Sequence, residues 1–191
     1  MDKRQNGGNI ILINGASSAG KSTLALALQT ALDEPFWHYS IDHLRTAGVL
    51  PMNRILAGEF DWASMRPAFF EGFHHSIAAF AGAGNNLIVE HIVETEAWMN
   101  RLLDLLLPFD VFFIGLHCPL PELLRREAGR NDKSRAEAQA DFEAVHNHCQ
   151  YDLELTSTRQ VDQLVELALS AWRKRTPPGA FDQMIARRDM S

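Results

Sequence analysis

Unbroken apolar runs alternate along this chain with longer stretches in which apolar residues recur every three or four positions. Short continuous runs suit strands buried on both faces, and the longer period suits helices with one buried face. The alternation therefore predicts β-α units around a mainly parallel sheet. Strands are expected at about 9–14, Phe36 to Ile41 with Asp42 at the exit, Leu87 to Val89 ending in Glu90-His91, Val111 to His117, and Asp152 to Leu155. Helices are expected at about 20–33, Asp61 to Ala81, Glu96 to Leu107, Glu122 to Gly129, Arg135 to about Cys149, and from Val161 to Trp172. Trp62, Met65, Phe69, Phe73, Ile77 and Phe80 give the Asp61 to Ala81 segment one apolar face. Pro35 ends the first helix, because its ring disfavours helical geometry at Glu34. Gly82-Ala83-Gly84-Asn85-Asn86 supplies a helix stop and a turn. Beyond Pro177-Pro178 the tail, 176–191, is expected to be loosely fixed.

Length and composition narrow the architecture to one unit. A chain of 191 residues that is 46% hydrophobic buries one substantial core, so 1–191 reads as a single domain. A net charge of −6 excludes a general nucleic-acid binder, which needs clustered Lys and Arg. The polar stretch Met1 to Gly8 and the brevity of Ile10-Ile11-Leu12-Ile13 fit neither a signal peptide nor a membrane span. A cytoplasmic protein with no membrane partner is expected, and nothing indicates an oligomer. Cys118 and Cys149 lack the spacing of a metal site or a disulfide framework. His74-His75 and His146-x-His148 lack the further ligands that zinc requires.

The chemistry is announced by Gly15-Ala16-Ser17-Ser18-Ala19-Gly20-Lys21-Ser22, a complete G-x-x-x-x-G-K-S phosphate loop between the first strand and the first helix. Its glycines allow a tight turn in which successive backbone N–H groups converge on phosphate oxygens. Lys21 is placed for the β/γ-phosphates and the Ser22 hydroxyl for Mg²⁺. Residues Gly15 through Ser22 and Thr23 are thus the expected seat of ATP, helped by the positive end of the helix dipole. With this loop the expected fold class becomes an α/β, three-layer P-loop NTPase, nucleoside/nucleotide-kinase-like, with a mainly parallel five-stranded sheet and a helical lid at about 123–135.

Ligand groups in open parallel sheets gather outside the carboxyl ends of the strands. That rule brings Asp42, Glu90 and His91 to the phosphate loop. Asp42 can accept the proton of an attacking hydroxyl and orient it; as an alternative it caps a helix starting at His43. Glu90 stands where a Walker-B acid would hold the Mg²⁺ shell, although Asp is commoner there. His91 either faces the acceptor or is a satisfied structural group. Arg126 and Arg130, four apart, share a helix face. On a flap hinged at Asn131-Asp132-Lys133-Ser134 they would meet the transferring phosphate, but Glu122 is equally placed for an ordinary i,i+4 ion pair with Arg126. Trp37, Phe60, Trp62, Phe69, Phe70 and Trp98 supply aromatic surface for either a core or an apolar acceptor wall.

The phosphate loop, Asp42, the run Arg126-Glu127-Ala128-Gly129-Arg130-Asn131-Asp132-Lys133, Val145-His146 and Tyr151-Asp152-Leu153-Glu154-Leu155-Thr156-Ser157 together resemble the chloramphenicol phosphotransferase-like family from about Ile10 to Thr158. The resemblance implies a small P-loop kinase with a lid, transferring phosphate from ATP to a hydroxyl of a small molecule. It places the family's aspartate base at Asp42 and its lid arginines at Arg126 and Arg130. The chain departs from the family in the short segment after Asp42, and in Glu90-His91 where two aspartates are more typical. Those regions line the acceptor pocket, so the resemblance does not carry over the acceptor. A nucleotide-dependent switch acting through a partner is the competing class. A guanine-specific switch would carry Asn-Lys-x-Asp where this chain has Leu116-His117-Cys118-Pro119. A binding-only relative is disfavoured by the intact Gly20-Lys21-Ser22 and Asp42.

Overall fold

The computed structural model describes residues 7–128 and 135–190. Five strands, β1 (Ile10–Asn14), β2 (Phe36–Ser40), β3 (Asn86–His91), β4 (Val111–His117) and β5 (Leu153–Thr156), form one sheet in the order β2-β3-β1-β4-β5. Every pairing is parallel. The central position of β1 explains its sequence: Ile10, Leu12 and Ile11, Ile13 face opposite layers, and each is at most 1% exposed.

Helices cover both faces. On the side of Ile11 and Ile13 lie α1 (Lys21–Ala31) and α8 (Val161–Lys174), which contribute Leu24, Leu28, Leu164 and Ala168 to the core. On the side of Ile10 and Leu12 lie α4 (Trp62–Gly82), α5 (Glu96–Leu106) and α9 (Ala180–Arg188), which contribute Phe73, Ile77, Met99, Leu102 and Phe181. The remaining helices are α2 (Ile41–Thr46), α3 (Met52–Leu56), α6 (Leu120–Glu127) and α7 (Arg135–Ala144), and residues of α2, α6 and α7 line the cleft described below. Asp61 caps α4 by accepting from the amides of Ala63 and Ser64, and Thr95 caps α5 through the amide of Trp98.

Three expectations need correction. The tail is not loose: α9 docks with Phe181 4% exposed, its ring edge-on to Phe113 at 5.2 Å, while the Asp152 carboxylate accepts from the Ala180 amide at 2.7 Å. Strand β2 stops at Ser40 rather than Ile41, because the Ser40 hydroxyl accepts from the His43 amide at 3.2 Å and starts a helix there. Helix α7 ends at Ala144 instead of near Cys149, since the Val145 carbonyl turns to accept from Asn14 at 2.7 Å. Among the described residues no helix is long and apolar enough to cross a membrane.

Candidate active site

The phosphate loop links β1 to α1 as its spacing requires. Ser18 and Gly20 take positive φ, 58° and 100°, and the N-cap residue Gly20 supplies no side-chain cap to the first turn of α1, whose residues line a cleft at the carboxyl edge of the sheet. Gly15 has a different constraint: a Cβ there would lie 2.6 Å from the Leu116 carbonyl oxygen of β4. The Lys21 side chain is 9% exposed and folds back over the loop, its Nζ donating to the carbonyls of Gly15 and Ala16 at 2.8 Å each.

Beside the loop, the end of β3 delivers Glu90, 7% exposed. Its Oε2 accepts from the Ser22 hydroxyl at 2.8 Å, and its Oε1 meets Nε2 of His38 on β2. Burial alone would raise the Glu90 pKa. The hydrogen bonds from His38 and Ser22 and the charge of Lys21 outweigh it, and the group stays an ionised carboxylate with its pKa below the ordinary value.

A cleft of about 1020 Å³ runs over the loop. Sheet order separates its two ends. On the β4-β5 side it is walled by Thr23, Arg126, Ser157, Arg159 and Leu164, and on the β2-β3 side by Asp42, Arg45, Trp62, Arg66, Phe70 and Glu94. Lys21, Ser22 and Glu90 lie between. Of the residues proposed from sequence, Lys21, Ser22, Asp42, Glu90, His91 and Arg126 therefore share one cavity. Arg130 and the segment Asn131 to Ser134 lie outside the described residues.

Asp42 is in the first turn of α2, its side chain 70% exposed and 3.6 Å from Arg45. The capping role weighed for it belongs to Ser40. Arg126 makes the ion pair weighed for it and also leans on the loop: Nε donates to Glu122 at 2.7 Å, while Nη1 reaches the Ala19 carbonyl at 3.1 Å and Nη2 the Ser157 carbonyl at 3.1 Å. The ion pair with Glu122 thus holds the guanidinium over the loop. Glu122, also paired with Arg125, has its pKa pulled down to about 2 by the hydrogen bonds from these two arginines.

Two acidic residues that sequence reasoning overlooked brace the loop. Glu127, 2% exposed, accepts from the Ser18 hydroxyl at 2.5 Å, and Asp141 on α7 accepts from the Ser17 amide at 3.2 Å. A signal existed: each stands four residues from a buried apolar side chain, Leu123 and Val145, and so on an inward face. Asn14, fully buried just before the loop, donates to the Val145 carbonyl and to the Tyr151 hydroxyl at 2.8 Å, and accepts from the Val93 amide at 2.9 Å. Tyr151 in turn meets Nδ1 of His146 at 2.6 Å. This network ties Val145, His146 and Tyr151 to the strand end that carries the phosphate loop.

Behind the β2-β3 end, Phe70 and Trp98 stack at 4.4 Å, and the Arg66 guanidinium lies 4.6 Å and 4.8 Å from their centroids while bonding Glu94 at 2.5 Å. His91 does not offer a free nitrogen to the cleft through Nε2, which bonds Nε2 of His74 at 2.7 Å. Burial lowers the His74 pKa to about 4 and that of His91 to about 3, so both rings are neutral at pH 7. Of the other aromatics, Phe60 packs under Arg54 at 4.2 Å, and Trp37 faces outward beside Phe80.

A five-stranded parallel sheet with a phosphate loop after its central strand is the P-loop kinase fold. Solved structures of that class superpose on it. An APS kinase from Mycobacterium tuberculosis, solved with AMPPNP and APS, aligns with a TM-score of 0.66 at 18% identity, covering 88% of this chain and 99% of the other. A gluconokinase from Sinorhizobium meliloti 1021 aligns with a TM-score of 0.61 at 17% identity, covering 88% and 93%. Over residues 8–173 the sequence matches the family described as chloramphenicol phosphotransferase-like protein, and the chain belongs to that family. A curated relative in Mycobacterium tuberculosis (strain ATCC 25618 / H37Rv), named "Putative O-phosphotransferase", is 29% identical over 200 residues, covering 94% of this chain and 89% of its own. Family and fold together define a phosphotransferase of the small-molecule P-loop kinase kind.

Proposed function

We propose that this protein transfers the γ-phosphate of ATP to a hydroxyl group of a small molecule in a Mg²⁺-dependent reaction. The observation that carries this reading is the convergence of a carboxylate, Asp42, with Lys21, Ser22, Glu90 and Arg126 in one cleft, on the loop that cradles a triphosphate.

Main-chain amides of the loop and of the first turn of α1 bind the phosphate oxygens. Lys21 exchanges the carbonyls of Gly15 and Ala16 for the β/γ-phosphates, a stronger charge-assisted pairing. A hydroxyl and a buried ionised carboxylate 2.8 Å apart at the loop form an oxygen donor set suited to Mg²⁺, so Ser22 would ligate the ion and Glu90 would hold it directly or through water. When bound, Mg²⁺ neutralises charge on the phosphate oxygens. Asp42, in the exposed first turn of α2, accepts the proton of the incoming alcohol and aims its oxygen in line. Arg126 approaches from the opposite side and stabilises the transferring group, joined in this reading by Arg130 on the lid. The acceptor occupies the β2-β3 end of the cleft, between Trp62, Phe70 and Arg66.

The test is a labelled-ATP transfer screen over hydroxylated metabolites and antibiotics, run beside Asp42→Asn. Wild type labels an acceptor, and the variant loses about 10²–10⁴-fold in transfer rate while still binding ATP. Equal rates would remove Asp42 from the role of base. Absence of any labelled acceptor, together with a protein partner that binds only the ATP-loaded form, would replace the kinase with a switch.

A further inference from the structure

We infer that His38 is a positioning residue for the metal-side carboxylate, a conclusion that rests on the reading of Ser22 and Glu90 as the Mg²⁺ donors. Strands β2 and β3 run parallel with His38 opposite Ile88 and Ser40 opposite Glu90, so His38 stands two positions short of the strand end, on the sheet face it shares with Glu90. From there its Nε2 reaches Glu90 Oε1, and both side chains are 8% exposed. A carboxylate has two equivalent oxygens and a freely turning terminal torsion. Here one oxygen is held by the imidazole, and this leaves Oε2 directed at the Ser22 hydroxyl, 2.8 Å away.

Two consequences follow from that geometry. With Oε1 engaged, Glu90 has one oxygen to offer an ion or its hydration shell, which suits the six-coordinate, water-retaining habit of Mg²⁺ better than a chelating carboxylate would. The His38 ring also packs edge-on against His43 with centroids 4.5 Å apart. That contact couples the metal-side carboxylate to α2, the helix that carries Asp42. Outer partners that orient ligating carboxylates typically account for a 10–100-fold share of metal affinity.

The experiment titrates Mn²⁺, followed by its electron paramagnetic resonance signal, into the protein with a non-hydrolysable ATP analogue. Wild type, Glu90→Ala, His38→Ala and His38→Gln are compared, and the affinity of each for the analogue without metal is measured alongside. His38→Ala is expected to weaken Mn²⁺ binding by roughly 10-fold or more with metal-free nucleotide affinity unchanged. His38→Gln, whose amide donor has similar reach, should recover most of the loss. If wild type binds no Mn²⁺ with the nucleotide, or Glu90→Ala binds it as well as wild type, the underlying metal reading fails. If Glu90→Ala loses the ion while His38→Ala keeps it, only the role of His38 is overturned. It is overturned also if His38→Gln shows no recovery, or if His38→Ala weakens metal-free nucleotide binding equally, the mark of a merely structural role.

Discussion

Gly15→Ala tests whether the phosphate loop is held by contact with the sheet as well as by its own turn. The added methyl carbon would sit 2.6 Å from the Leu116 carbonyl oxygen, with the Leu116 carbonyl carbon and Cβ each at 3.5 Å. Carbon and carbonyl oxygen settle at roughly 3.3 Å or more, so about 0.7 Å must be found. Strand β4 is paired on both sides and Leu116 is 1% exposed, leaving the loop as the part that yields. Overpacking of this kind costs about 1–3 kcal/mol. For a domain of this size that lowers Tm by roughly 3–10 °C. A loop displaced by most of an ångström should also lose about tenfold to a hundredfold in phosphate transfer. Gly72→Ala is the control: a Cβ at this helical position meets nothing within 4 Å, so the change should raise stability by roughly 0.5–1 kcal/mol. Thermal denaturation, titration with a fluorescent ATP analogue and the labelled-ATP transfer rate measure these effects. A Gly15→Ala protein with wild-type Tm and nucleotide affinity would refute the argument that β4 backs the loop.

Two further outcomes are expected. Phe181→Ala removes a buried ring that packs on Phe113, and should cost about 3–5 kcal/mol and expose 176–190 to limited proteolysis; an unchanged Tm and cleavage pattern would mean that α9 is not part of the core. The buried pair His74 and His91 titrates near 6.5 when unfolded but is depressed to about 4 and about 3 in the fold. Between those values the unfolded chain binds more protons, so this contribution to stability is complete above about pH 6.5 and is lost as pH falls toward 4. Tm measured from pH 7 to pH 4.5 should therefore fall less steeply in a His74→Gln/His91→Asn protein. Parallel slopes would refute the assignment.

The amino-acid sequence on its own determined the five strands, the helices α1 and α4 to α8, the parallel character of the sheet and the phosphate loop, because each is written in local periodicity or in a contiguous motif. Ile10 to Ile13 declare a buried strand, and Gly15 to Ser22 declare the loop, within a few residues of chain. The tertiary structure alone decided what surrounds that loop. Glu127 and Asp141 grip Ser18 and Ser17 across 109 and 124 residues of chain, and Asn14 reaches Val145 across 131. His38 reads as one residue of an edge strand until β3 is laid beside it and Glu90 comes within reach. The same holds for the tail: Phe181 after two prolines carries no signal of burial until α9 is found with that ring packed against Phe113 of β4. A local pattern shows that a side chain turns inward; which partner it meets is set by the order of strands and the layers packed on them.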